Sequence, residues 1–155
     1  MAIRTDKLQA TYAGNIETVV FTKDVQNGEI CVLGNQAGRE AVQAATPTDV
    51  TKEEILIVAS PEVVYDQLKD DLLDFVNKAG SNARAYHLTE GDIITVTDDV
   101  IDGTSVVNQY LVPKNGSSKL VPAADLSGGT RFAAKVIEKG KLYGQPATAF
   151  KVLTV

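Results

Sequence analysis

The chain carries one histidine, His87, and one cysteine, Cys31. Acid–base or thiol chemistry therefore runs through these two side chains or through carboxylates and hydroxyls. A histidine base needs a nucleophile and an orienting acid close in space, and no G-x-S-x-G elbow marks a serine. A small hydrolase built on His87 with Asp92 or a nearby serine is the arrangement these residues would allow. A surface or structural histidine is the commoner reading. Cys31 lies inside the apolar run Ile30-Cys31-Val32-Leu33, where burial raises a thiol's pKa and makes it inert. One cysteine excludes a disulfide within the chain and a cysteine-rich zinc site, and one histidine excludes a multi-histidine centre. Asp66, Asp70, Asp71 and Asp74 form an acidic run that reads as a solvated helix face. Asp98-Asp99-Val100-Ile101-Asp102-Gly103-Thr104 lacks the alternating oxygen ligands and distal glutamate of a calcium loop and reads as an aspartate-capped turn, with a weak cation site as the alternative. No metal site, cofactor or catalytic residue is expected.

The elements that would position these groups follow from periodicity. Val, Ile and Thr supply 42 of the 155 residues, which favours strands because β-branched side chains pack well on pleated surfaces. Strands are expected at Glu17 to Thr22, Ile30 to Leu33, Ile55 to Ala59, Ala85 to Leu88, Ile93 to Thr97, Val106 to Val112, Lys119 to Val121, Arg131 to Glu138 and Ala147 to Val155. Ala37 to Ala45 is ambiguous. Asn27-Gly28 and Glu90-Gly91-Asp92 read as hairpin turns joining their flanking strands. Ser60-Pro61 has the form of an N-cap followed by a first-turn proline, and Val64, Leu68, Leu72, Phe75 and Val76 recur at helical spacing up to Gly80. The expectation is a mainly β (α+β) fold, a small barrel or sandwich of short antiparallel strands with one inserted amphipathic helix near residues 61–79. Residues 1–15 have no clear period and could form an N-terminal arm, against the commoner reading of a partly ordered terminus and the competing one of an edge strand of its own domain, and residues 16–155 read as a single β-rich domain.

Composition narrows the partners. At this length roughly 70% of the extended chain's surface can be buried, enough for a core without disulfide or metal. Hydrophobic residues make up 44% and charged residues 23%, with a net charge of -5. The acidic balance, the scattered basic residues and an aromatic content of only 6% give poor provision for nucleic acid. No P-loop or G-x-G-x-x-G is present. No apolar run is long enough for a transmembrane helix and the N-terminus has no signal-peptide core, so no membrane partner is expected. Read from residues alone, this is a β-rich domain without a legible active site.

Several blocks carry a resemblance. They are Ala59-Ser60-Pro61-Glu62-Val63-Val64-Tyr65-Asp66, Leu73 to Gly80, Ala83-Arg84-Ala85-Tyr86-His87-Leu88-Thr89-Glu90-Gly91-Asp92 with the strand to Thr97, Phe132 to Glu138, and Asp24-Val25-Gln26-Asn27-Gly28. Together they resemble the capsid decoration, or head-stabilising cement, proteins of tailed bacteriophages. The resemblance implies a non-enzymatic virion component made in the host cytoplasm. It would bind the outer surface of the phage head and tie together subunits of the major capsid protein, with self-association on the shell as a further expectation. The expected contact residues are Ile3, Arg4, Leu8 and Tyr12 in the N-terminal segment. Another phage structural or adaptor module, at a tail or head-fibre base, is the alternative within the same class.

Overall fold

Eleven strands order the chain in a computed structural model, which describes residues 2–7, 15–63 and 72–155. In chain order they are β1 (Ile3–Lys7), β2 (Ile16–Val20), β3 (Ile30–Gln36), β4 (Val42–Ala45), β5 (Leu56–Val58), β6 (Asn82–His87), β7 (Ile93–Thr97), β8 (Tyr110–Val112), β9 (Val121–Ala123), β10 (Ala133–Leu142) and β11 (Gln145–Thr154). Strands β2-β4-β3-β5-β6 close into a small barrel, and β1-β7-β11-β10-β8-β9 form a six-stranded sheet. The mainly β barrel architecture expected from the sequence is present. All strand pairings among the described residues are antiparallel except β2 with β4.

Two apolar clusters explain which segments read as continuous hydrophobic runs. Val19, Phe21, Cys31, Leu56, Val58, Ala83 and Ala85 fill the barrel. Ile30, Val32, Ile55 and Ile57 point the other way and join Ile94, Val96, Leu111, Phe132, Val136, Phe150 and Val152 of the sheet. Ile30 to Val32 of β3 and all of β5 are thus buried on both faces, so they lack the polar alternation of a half-exposed strand. Phe132 and Phe150 are 1% and 0% exposed, and burying a side chain of that size contributes about 2–3 kcal/mol. The barrel interior is one cluster, and the outer faces of β3 and β5 join the sheet in the other. Backbone bonds from Ile30 N–H to Ser118 O (2.7 Å) and from Arg131 N–H to Val50 O (2.9 Å) tie the two halves further.

The structure corrects three local expectations. Asn27-Gly28 does not turn a hairpin: β2 pairs with β4 and β6, while β3 pairs with β4 and β5. Glu90-Gly91-Asp92 likewise joins different sheets, since β6 belongs to the barrel and β7 to the six-stranded sheet. Turn dipeptides fix a local reversal of the backbone, but the partner a strand chooses depends on which face it must bury. The inserted helix is the third correction. Residues 64–71 lie outside the described residues. From Leu72 onward the chain makes a single 3-10 turn, Leu72–Asp74, and then an antiparallel bridge between Asn77 and Val25. Phe75 and Val76, read as part of the helical stripe, therefore lie outside any helix, just before that bridge.

Asn27 ties Ser60 to Asn77, the residues on either side of 61–76. It is fully buried. Its Nδ2 donates to Ser60 O (2.9 Å), and its Oδ1 accepts from Ser60 N–H (3.0 Å) and Asn77 Nδ2 (3.1 Å). Asn77 Nδ2 also donates to Val25 O at 3.1 Å. Asp24 completes the lock by accepting from Ala79 N–H and pairing with Lys78, each at 2.9 Å. Gly28 follows with φ +91°, where a side chain is strained, and its N–H donates to Val58 O at 2.7 Å.

Candidate functional surface

The N-terminal contact residues divide between one strand and chain outside the described residues. Ile3–Lys7 forms the edge strand β1 on β7, with Ile3 opposite Val96 and Arg4 opposite Thr95. Ile3 is half-buried against the main core, so its side chain serves its own domain. Arg4 is exposed. Leu8 and Tyr12 lie outside the described residues. The start of β1 sits at the Thr97 end of β7, where Thr97 N–H donates to Ala2 O at 3.3 Å.

His87, at the end of β6, stands between two carboxylates. Its Nδ1 is 2.7 Å from Glu54 Oε1 and its Nε2 is 3.1 Å from Glu17 Oε1. Asp92, the acid a His87-based hydrolase would have used, instead accepts from Thr89 N–H at 2.9 Å. With both ring nitrogens facing carboxylate oxygens, the imidazole acts as a clamp joining β2, β6 and the segment before β5. Partial burial works against the charged ring, but hydrogen bonds and attraction from Glu54 and Glu17 outweigh it and hold its pKa above the usual 6.5. The sign follows from linkage. A raised folded pKa contributes stability that is fully present below about pH 6.5 and disappears as pH rises through the folded pKa. His87→Gln should cost about 1 kcal/mol at pH 6 and close to nothing at pH 9. Paired urea melts at the two pH values measure this, and an equal cost at both would reject the clamp.

Asp98 is the one aspartate of the Asp98–Asp102 run that enters a polar network. Lys139 Nζ lies 2.7 Å from Asp98 Oδ2, 2.7 Å from Thr148 Oγ1 and 3.2 Å from Ser105 Oγ. Thr148 Oγ1 donates to Asp98 Oδ1 at 2.6 Å. Ser105 and Thr148 are buried and hydrogen-bond each other at 2.9 Å, and the lysine's three donors complete the cluster with Asp98. The Lys–Ser proximity does not make a nucleophile, because the ammonium is used throughout as a donor. The network pins the root of the β10–β11 hairpin to the 3-10 turn Asp98–Val100. Asp74, Asp98 and Asp99, with Leu73, Gln145 and Pro146, line a groove of roughly 390 Å³ beside that root. Among the described residues no group of three His, Cys, Asp or Glu side chains could hold a metal ion. Of the earlier acidic run, Asp74 is exposed, and Asp66, Asp70 and Asp71 lie outside the described residues.

Cys31 is fully buried in the barrel, and desolvation pushes its thiol up to about 12. Native protein at pH 8 should therefore show no reaction with Ellman's reagent over an hour, and one thiol per chain in urea. Rapid labelling of the native form would contradict the burial.

With this geometry in hand, comparison with family models and with curated proteins returns no match.

The most prominent exposed feature went unread in the sequence. Strands β10 and β11 pair from Ala133 to Leu142, and a bulge after Val136 turns β10 out of the core. Burial stops there: Val136 is buried, and residues 137–141 are all exposed. The last ladder contact of β7 on this hairpin is Thr97 with Ala147, and β8 reaches only Lys135 and Ala134. Lys141 to Pro146 thus extends as a two-stranded ribbon beyond its sheet neighbours. Its turn is Tyr143-Gly144, with φ +50° and +80°, the sign pattern of the tight turn that matches strand twist. Tyr143 is 71% exposed. The legible signal was a residue–glycine pair between two alternating runs. Tyrosine masked it, because that position ordinarily holds Asn, Asp or Gly.

Proposed function

We propose that this chain is a structural virion protein, a decoration or cement protein that binds the outer surface of a tailed-phage head and stabilises the lattice of the major capsid protein. Two lines support the reading: the resemblance of the sequence blocks, and the construction of the body. The observation that carries it is the apolar cluster through which β3 and β5 of the barrel pack against the six-stranded sheet, which makes a stiff block able to transmit load between the subunits it touches. The polar clusters fit the same use. His87, Lys139, Asp98 and Asn27 each bond to neighbouring segments of the chain and tie the block together. A net charge of -5 favours solubility of the free protein before assembly.

The energetics of such a role are those of multiplicity. A ligand that binds assembled lattice and not free subunits stabilises the lattice by mass action, about 2.7 kcal/mol per site at a free concentration 100 times Kd. Repeated over a closed shell, modest contacts make a large barrier to opening. The contact surface includes Arg4 on the exposed edge of β1 together with Leu8 and Tyr12, while Ile3 anchors that strand from inside.

The test is co-sedimentation of purified protein with heads of the virus whose genome encodes it, followed by heating. Saturable pelleting and a higher temperature of DNA release from loaded heads are expected. Heads that recruit none of the protein at saturating concentration would overturn the reading, as would electron microscopy that places labelled protein on tails. Arg4→Glu should weaken pelleting roughly tenfold, equivalent to about 1.4 kcal/mol.

A further inference from the structure

We infer that the tip of the β10–β11 hairpin, centred on Tyr143, is the element that enters a hollow on the partner protein, and that tyrosine is kept there for binding against the interest of the fold. The inference rests on the capsid-binding reading above and names a contact within it. A non-glycine residue in left-handed backbone is disfavoured, and for a bulky side chain it is an outlier. Only Asn108 and Tyr143 have this conformation among the described non-glycine residues. Asparagine adopts it readily, so Tyr143 is the anomaly. The usual compensation would be burial of the ring, yet Tyr143 is among the most exposed large side chains described. The position thus combines backbone strain with an aromatic surface left in water, and an Asn-Gly turn would remove both. Local strain of this kind is maintained where it serves a site.

The setting is suited to docking. The ribbon from Lys141 to Pro146 runs about three residues, or roughly 10 Å, past the last β7 contact, with Gln145 and Pro146 lining the groove they share with Leu73 and Asp74 and Tyr143 at the turn beyond them. Its root is fixed by the Lys139–Asp98–Thr148 network, so little conformational freedom is lost when the tip is seated. Tyrosine offers a rigid amphipathic ring with two χ angles and a hydroxyl, the side-chain chemistry that anchors protein interfaces. Lys141 beside it adds one donor. The partner surface would be a concave apolar pocket with an acceptor near its floor and a carboxylate or carbonyl at its rim. The tip also lies at the end of the sheet where β1 begins, since Thr97 is opposite Ala147 and bonded to Ala2. Arg4 and Tyr143 can therefore belong to one footprint. A second copy of this chain is the less suitable occupant. The edge of β10 that β8 leaves open carries Lys139 and Lys141, and edge-to-edge pairing about a two-fold centred on Gly140 would set Lys139 directly against the other copy's Lys141.

The test uses three full-length proteins: wild type, Tyr143→Asn and Tyr143→Phe. Each is measured for thermal midpoint, self-association by sedimentation velocity, and co-pelleting with undecorated heads. Tyr143→Asn should melt at a higher temperature than wild type, because Asn-Gly suits the turn, and should bind heads at least tenfold more weakly. Tyr143→Phe should keep binding within about threefold, since the ring supplies most of the contact. Wild type that fails to pellet removes the capsid reading itself. Wild type that pellets alongside a Tyr143→Asn variant of equal affinity leaves that reading intact and overturns the tip. Loss of a wild-type oligomer in Tyr143→Asn, with head binding unchanged, would place the ring against a second copy and overturn the assignment to the shell.

Discussion

Asn27→Ala should lower the free energy of unfolding by about 3 kcal/mol, read from urea denaturation at pH 7. The substitution removes one small amide but strands several partners. Ser60 loses the bonds to both its carbonyl and its N–H, and Asn77 loses one of its two acceptors. An unsatisfied buried polar group costs about 1–3 kcal/mol, far more than the net worth of the bond it made. The effect should be local as well as global: with Ser60 and Asn77 no longer tied together, limited proteolysis near Pro61 and Asn77 should quicken before the barrel unfolds. Asn27→Asp sharpens the argument. Aspartate keeps the two acceptor contacts but cannot donate to Ser60 O, and its carboxylate would face the oxygens of Ser60 and Glu62, the latter now 3.4 Å from Asn27 Nδ2. That variant should be more stable at pH 4 than at pH 7 relative to wild type. A loss under 1 kcal/mol for Asn27→Ala would mean that Ser60 and Asn77 are held elsewhere.

Gly28→Ala should also destabilise by about 3 kcal/mol, from two separable causes. At φ +91° an alanine is strained by about 1–2 kcal/mol. A Cβ there would lie 3.0 Å from Val100 Cγ2 and 3.2 Å from Val96 Cγ1, adding an overpacking cost of about 1–3 kcal/mol. Both valines belong to the core shared by barrel and sheet, so the contact cannot be relieved by a surface side chain moving aside. The two causes separate in a double-mutant cycle with Val100→Ala. Removing the Cγ2 atom relieves the overlap but not the backbone strain, so the double mutant should be less destabilised than the sum of the singles by at least about 0.5 kcal/mol. Strict additivity would remove the Val100 contact as a cause.

Asn27 and Gly28 also mark where local reading stops. The dipeptide was legible as a turn, and it is a reversal with a positive-φ glycine. It was read as a hairpin because adjacent strands usually pair when a short turn joins them. Here the asparagine side chain is consumed by Ser60 and Asn77, 33 and 50 residues away, and no periodicity encodes that. His87 is a parallel case. Its place in a strand was readable and a structural role was the commoner reading, but Glu17 and Glu54 come from segments 70 and 33 residues distant. The Cys31 reading succeeded because its reason is local: an apolar neighbour on each side implies a strand with no polar face, and hence burial.

The sequence by itself determined where the chain extends and where it turns. β-Branched runs, alternation and glycine-bearing dipeptides act over two to six residues, and physics on that scale needs no distant partner. It determined, too, that Ile30 to Leu33 of β3 and all of β5 are apolar. Only the tertiary structure decided that this meant burial on two faces, that β2 runs parallel to β4, and that the segment from Leu72 to Val76 holds one 3-10 turn and no α-helix. Strand hydrogen bonds are made by backbone groups alike in every residue, so pairing is chosen by which faces must leave water together and by what the loops can span. The same rule hid Tyr143. Exposure is a property of what a neighbouring strand fails to cover, and β7 stops at Thr97.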